Sequence, residues 1–302
     1  MKIMDYIQSY WVALRPFSLT LAFGSTSLGL LAGIRLGYIN PAEPFQLLLI
    51  ALVTIAGLAS QAGANLINDY FEGTFKYPDP SQKTLRFLGR QRSRWDVLVF
   101  LSGLAVLGLA GLIGLYLVWL TDYRMLLIGL IGLIGSYAYT GEPFVYKRKG
   151  LGALLSFLLM GILMPLGAWY PFTQTLSLWP VVYALPLSLL IPGLMLSNEI
   201  RDFQRDSRLS MGTLSVRIGR AWTLRLYDTL LIGSFILIAA YIWLKLYPWY
   251  AVAAAFGLCH AVRAWQAVHR GDRLSIPNTN KVHLILLTVT VGSLLLEYFI
   301  TK

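Results

Sequence analysis

The chain has 302 residues, 57% of them hydrophobic and only 13% charged, with a formal net charge of +11. Ordinary soluble domains carry about 25% charged residues, so this composition excludes a water-soluble globule and predicts an all-α, multi-pass transmembrane bundle. There is no soluble basic domain to carry a nucleic-acid interface, and the single cysteine, Cys259, excludes an internal disulfide framework.

Apolar runs of about 20 residues can cross the hydrocarbon layer as helices, and nine occur. The first, near 17–38, follows Arg15-Pro16 without a small-residue cleavage site and reads as a retained span. The second, 46–68, runs directly into Asn68-Asp69-Tyr70-Phe71-Glu72 and a polar connection over 69–96. Spans three to six follow near 97–120, 124–141, 151–170 and 179–197, the last running into Asn198-Glu199-Ile200-Arg201-Asp202 and a polar connection over 198–221. The remaining spans lie near 222–244, 248–268 and 282–300. No connection is long enough, or rich enough in Pro and Ser, to be a domain linker, so residues 1–302 are expected to form one domain. Gly29, Gly33 and Gly37 recur at i+4, and Gly129, Gly132 and Gly135 at i+3, which predicts close helix approach. Trp and Tyr near span ends, among them Trp11, Trp119, Trp169 and Trp249, are expected as interfacial anchors.

Basic residues orient this arrangement. With the N-terminus inside, all 25 Lys and Arg except Arg35, Arg124, Lys245 and Lys302 fall on the cytoplasmic side. That asymmetry predicts a cytoplasmic N-terminus and places both acidic motifs at the cytoplasmic membrane surface. The net positive charge is then largely a topology signal, with attraction to anionic membrane lipid as a second effect.

The chemistry is expected from the acids. A charge at a bilayer helix centre costs roughly 2.5 to 3.5 kcal/mol on insertion scales, so acids at the ends of apolar runs mark ion, proton or substrate sites. Asp69 and Glu72 are i, i+3, as are Glu199 and Asp202, and Asp202 and Asp206 are i, i+4, so each set shares a face if its helix continues past the membrane. Hard carboxylate oxygens suit Mg²⁺, which takes one or two carboxylates and commonly bridges to substrate phosphates. Lys76, Lys83, Arg86, Arg90, Lys147, Arg148, Arg201 and Arg205 lie around the acids, and Arg can grip phosphate with two prongs. Arg92, Arg94, Arg217 and Arg220 read as topology signals. A different class, a cation-coupled transporter, would need a polar path to the far side, and the outer halves of the spans are almost free of charge.

These motifs resemble the UbiA superfamily of intramembrane prenyltransferases. The resemblance rests on Asn65-Leu66-Ile67-Asn68-Asp69-Tyr70-Phe71-Glu72, on Asn198-Glu199-Ile200-Arg201-Asp202-Phe203-Gln204-Arg205-Asp206, and on Thr213-Leu214-Ser215-Val216-Arg217-Ile218-Gly219. Through Tyr139-Thr140-Gly141-Glu142-Pro143-Phe144 and Gly150-Leu151-Gly152 it is most similar to the 1,4-dihydroxy-2-naphthoate polyprenyltransferase branch of menaquinone biosynthesis. The chain departs from the family pattern at Glu72, usually Asp, at Pro143, where many relatives have Lys, and at Met211-Gly212, where basic residues are common.

The resemblance implies Mg²⁺-dependent transfer of a polyprenyl group from a polyprenyl diphosphate to an aromatic acceptor. Asp69, Asp202 and Asp206 would be catalytic and hold metal with Glu72 and Glu199. Asn65, Asn68, Asn198, Arg86, Tyr139, Lys147 and Arg201 would contact substrate, and Tyr70, Phe71 and Tyr139 would offer ring faces to an allylic cation. Within this class, the acceptor alternatives are 4-hydroxybenzoate and a haem or chlorophyll precursor.

Overall fold

The computed structural model describes residues 3–72 and 84–301. Lys76, Asp79 and Lys83 lie outside the described residues. The chain is built almost wholly of helices: α1 (Ile3–Leu14), α2 (Pro16–Arg35), α3 (Pro44–Glu72), α4 (Arg94–Leu120), α5 (Tyr123–Ala138), α6 (Gly152–Ser156), α7 (Met164–Thr173), α8 (Trp179–Ser188), α9 (Leu190–Arg208), α10 (Leu214–Ile218), α11 (Arg220–Trp243), α12 (Leu258–Arg270) and α13 (Ser275–Thr301). A π-helical segment, Phe157–Leu163, joins α6 to α7, and a 3-10 segment, Trp249–Gly257, leads into α12. Among the described residues, eight helical stretches are long and apolar enough to cross a membrane, which makes this an integral membrane protein; α5, at the fourth expected span, is apolar but only 16 residues long.

Helix boundaries follow from local chemistry. Pro16 and Pro44 open α2 and α3, where a missing N–H costs nothing. Ser93 caps α4 reciprocally with Asp96: the Asp96 N–H donates to Ser93 Oγ at 3.1 Å, and the Ser93 N–H to Asp96 Oδ2 at 3.2 Å. The polar connection after α3, expected only as a loop, contains an antiparallel hairpin of β1 (Thr84–Phe87) and β2 (Arg90–Ser93), in which Arg86 faces Gln91. Gly89, at φ 71°, supplies the left-handed backbone its turn requires.

The described residues group into two compact units. The first comprises Met1–Leu19 and Ile55–Val145. Here α3 and α4 cross so closely that a Cβ on Gly103 would stand 2.9 Å from Leu66 Cβ. Trp95 packs against Tyr6 and Tyr10 and donates to Ser9 Oγ at 3.1 Å, holding α1 to the start of α4.

The second unit comprises Thr20–Thr54 and Tyr146–Lys302. Its core of Leu, Ala and aromatic side chains includes Tyr183, Tyr227 and Tyr247. Each buried phenol must find a partner where no water is at hand. Tyr227 Oη lies 2.8 Å from Thr279 Oγ1, and Tyr247 Oη donates to Tyr183 O at 2.6 Å. Gly29 makes the expected close approach, since a Cβ there would meet Pro165 O at 2.6 Å. Gly129 and Gly132 do not, as nothing among the described residues lies within 4 Å of a Cβ at either. Trp119 and Trp249 are exposed as anchors should be. Trp169 is instead core, its Nε1 donating to Thr175 O at 3.0 Å.

Candidate active site

Both acidic motifs sit on helices that continue past their apolar runs, as the i, i+3 and i, i+4 spacings require. In the first unit, the last turns of α3 carry Asn65, Asn68, Asp69 and Glu72. Arg15, at φ 50° in the corner between α1 and α2, donates from Nη2 to Glu72 Oε2 at 3.1 Å. With its amide oxygen turned to Arg15, Asn68 accepts from Nη1 at 2.8 Å and donates to Glu72 Oε2 at 2.9 Å. Asn65 holds the same corner, donating from Nδ2 to Leu14 O at 2.8 Å and to Ser18 Oγ at 2.7 Å. Sequence reasoning missed Arg15 as a site residue. Its signal was the Arg15-Pro16 pair, read only as the start of a span.

In the second unit, α9 carries a ladder of alternating charge. Arg201 donates from Nε to Asp202 Oδ1 at 2.8 Å, and from Nη2 to Asp202 Oδ2 and Asn198 Oδ1 at 2.7 Å each. Arg205 reaches Asp202 Oδ2 and Asp206 Oδ1 from one nitrogen, at 2.9 Å each. Glu199 is buried and points to α10, accepting from the Ser215 N–H at 2.9 Å. A Cβ on Gly152 would lie 3.6 Å from Lys147 Cα and 3.8 Å from Glu199 Oε1, so Lys147 and Glu199 flank that glycine. Gly212 has a steric reason of its own: a Cβ there would meet Arg148 O at 2.6 Å, which admits no basic side chain.

The remaining expected residues divide. Arg86 is exposed on β1, and Tyr139 is the C-cap of α5. Tyr70 and Phe71 are buried within the first unit, and their ring faces are taken: Arg92 lies 5.4 Å from the Tyr70 centroid and Arg90 5.4 Å from that of Phe71. That corrects the expectation that these two rings face an allylic cation.

The donor set fits Mg²⁺. Asp202 and Asp206 already share one positive group, the Arg205 guanidinium, so both carboxylates lie within reach of a single cation. Among the described residues no three His, Cys, Asp or Glu side chains converge. The fit is therefore through one or two carboxylates, with water and phosphate oxygens completing the coordination.

The UbiA prenyltransferase family model matches residues 23–286. UbiA prenyltransferase domain-containing protein 1 of Rattus norvegicus is 30% identical over 233 residues, covering 76% of this chain. The chain spans 66% of that relative's length, just under two thirds. The 1,4-dihydroxy-2-naphthoate octaprenyltransferase of Bacillus subtilis is 29% identical over 231 residues, covering 76% of this chain and 70% of its own. The structure of a UbiA homolog from Archaeoglobus fulgidus bound to GPP and Mg²⁺ has a TM-score of 0.60 at 15% identity, covering 95% of this chain and 98% of that one, a likeness of fold.

Proposed function

This chain belongs to the UbiA prenyltransferase family, and from that premise we propose that it transfers a polyprenyl group from an allylic diphosphate to an aromatic acceptor. The acceptor in this reading is 1,4-dihydroxy-2-naphthoate, and the product an intermediate of menaquinone biosynthesis. The acceptor assignment is supported by the name of the Bacillus subtilis relative. The observation that carries the reaction class is the ladder on α9, where Asp202 and Asp206 alternate with Arg201 and Arg205. Acids hold metal and arginines grip phosphate, so both halves of a metal–diphosphate site lie on one helix.

In this reading Asp69, Asp202 and Asp206 would hold Mg²⁺, with Glu72, Asn65 and Asn198 assisting. When bound, Mg²⁺ supplies charge neutralisation for the departing diphosphate. Arg201 and Arg205 would grip phosphate oxygens of the donor, and Arg86 and Lys147 would add further positive charge. The allylic C–O bond breaks, leaving its electrons on diphosphate, and the acceptor ring forms the new C–C bond. The ring's carboxylate leaves as CO₂, which restores aromaticity. Asn65 and Arg15 fix the α1–α2 corner against α3, and Glu199 fixes α10 against α9. The polyprenyl tail lies among apolar helices and lipid of the cell membrane, with the N-terminus and both acidic motifs on the cytoplasmic side, and residues 1–302 act as a single catalytic domain.

The test is mass spectrometry of products formed when membranes holding the protein are offered polyprenyl diphosphate, Mg²⁺ and a panel of aromatic acceptors. Decarboxylated prenyl naphthoquinol is expected. A prenylated benzoate or porphyrin as the sole product would overturn the acceptor, and cation flux without diphosphate release would overturn the reaction class.

A further inference from the structure

The last carbonyls of a helix have no partner within it. At the end of α3 two of them are met from β2: Arg90 Nη1 donates to Phe71 O at 3.1 Å, and Arg92 Nε to Tyr70 O at 3.0 Å. These arginines are two residues apart on a strand, so they project to the same side. Each guanidinium also lies over the ring of the residue whose carbonyl it caps, at 5.4 Å in both cases. Tyr70 answers through its hydroxyl, donating to Phe87 O on β1 at 2.6 Å. The hairpin thus grips, by backbone and by ring, the two residues that stand between Asp69 and Glu72. Positive charge at a helix C-terminus is favourable besides.

Arg92 is an expensive way to do this. It is 7% exposed, and its Nη2 is buried with no partner among the described residues. A buried guanidinium with an orphan nitrogen costs stability that an apolar side chain of similar volume would not. Its presence is explained by what it fixes.

We infer that the β1–β2 hairpin is a positioning clamp for the first acidic motif, in which Arg90 and Arg92 lock the last turn of α3 so that Asp69 and Glu72 present their carboxylates in one arrangement. Arg90 and Arg92 are positioning residues, acting through α3. The inference rests on the metal–diphosphate reading of that motif.

The experiment follows amide hydrogen exchange over residues 66–72 in the full-length protein in detergent, with and without Mg²⁺ and inorganic diphosphate. The same preparations yield the KM for the prenyl donor and for the acceptor. Arg92→Met is expected to speed exchange at the end of α3 about tenfold. It should also raise, by about tenfold, both the Mg²⁺ concentration at which diphosphate protects that segment and the donor KM, leaving the acceptor KM unchanged. Arg92→Lys keeps the charge but not the planar fork, and is expected to retain most of the defect. Tyr70→Phe removes only the bond to Phe87 O and is expected to shift the same quantities in the same direction by less, which decides the matter if Arg92→Met does not fold. Exchange equal to wild type, or faster exchange with an unmoved protection midpoint, overturns the clamp. If the wild-type protein releases no diphosphate from any allylic donor, the prenyl-transfer reading fails, while the protection midpoint still decides the clamp.

Discussion

Arg201 clasps Asp202, its neighbour in sequence, through two bonds of 2.8 and 2.7 Å. Adjacent helical residues do not face one another, so Arg201 must bend along the helix surface to reach a carboxylate pointing elsewhere. In the proposed function, the pairing places a two-pronged cation where an anionic ligand and its metal would sit. It marks Asp202 as a carboxylate that already neutralises a positive group.

The two-pronged geometry is specific to Arg, so Arg201→Lys keeps the charge but gives up the planar fork. The expected outcome is a rise of about tenfold in KM for the prenyl donor, with the acceptor KM unchanged. Steady-state kinetics at saturating acceptor checks it, and equal donor KM values in variant and wild type would remove Arg201 from the diphosphate site.

Replacing Asp69 or Asp202 by Ala removes an oxygen donor from each motif in turn. Either change is expected to lower turnover on the order of 10² to 10³ fold, the range for loss of one group that stabilises developing charge. Diphosphate release assayed across a Mg²⁺ titration checks this. Wild-type turnover in both variants rejects the metal assignment.

Much of this was legible in the sequence, and the reason is physical. Spans are set by the length of apolar runs, and acids inside a membrane protein are costly enough to stand out, so both motifs and their helical spacing could be read directly. The partners of those acids could not. Arg15 meets Glu72 across 57 residues, through a corner that depends on a positive φ no pattern announces. Arg90 read as a phosphate contact and Arg92 as a topology charge because the hairpin carrying them has two four-residue strands, too short for period-two alternation to separate from loop. Tyr70 and Phe71 were assigned to a cation because they stand beside the acids in the motif, but what covers a ring face is a tertiary fact.

Arg86 and Lys147 are proposed to neutralise diphosphate without gripping metal. Arg86→Ala and Lys147→Ala are each expected to raise the donor KM by about threefold to tenfold while kcat falls less, the signature of lost ground-state binding. Identical donor kinetics in either variant would take that residue out of the site. Arg86 is exposed, so its replacement should leave thermal stability unchanged.

Glu199 separates a metal ligand from a tether. Its Oε2 accepts the Ser215 N–H at 2.9 Å, and Ser215 is fully buried, so the bond secures α10 against α9. Glu199→Gln keeps an oxygen acceptor at that place and removes the charge; Glu199→Ala removes both. A tethering role predicts that the Gln variant holds its melting temperature and turns over within about threefold of wild type. The Ala variant, with the Ser215 N–H left buried and unpaired, should lose roughly 1–3 kcal/mol of stability. Thermal unfolding in detergent, run beside a Mg²⁺ titration of activity, distinguishes the roles. A Gln variant of normal stability whose Mg²⁺ requirement rises tenfold or more would make Glu199 a ligand instead, since only the charge has gone.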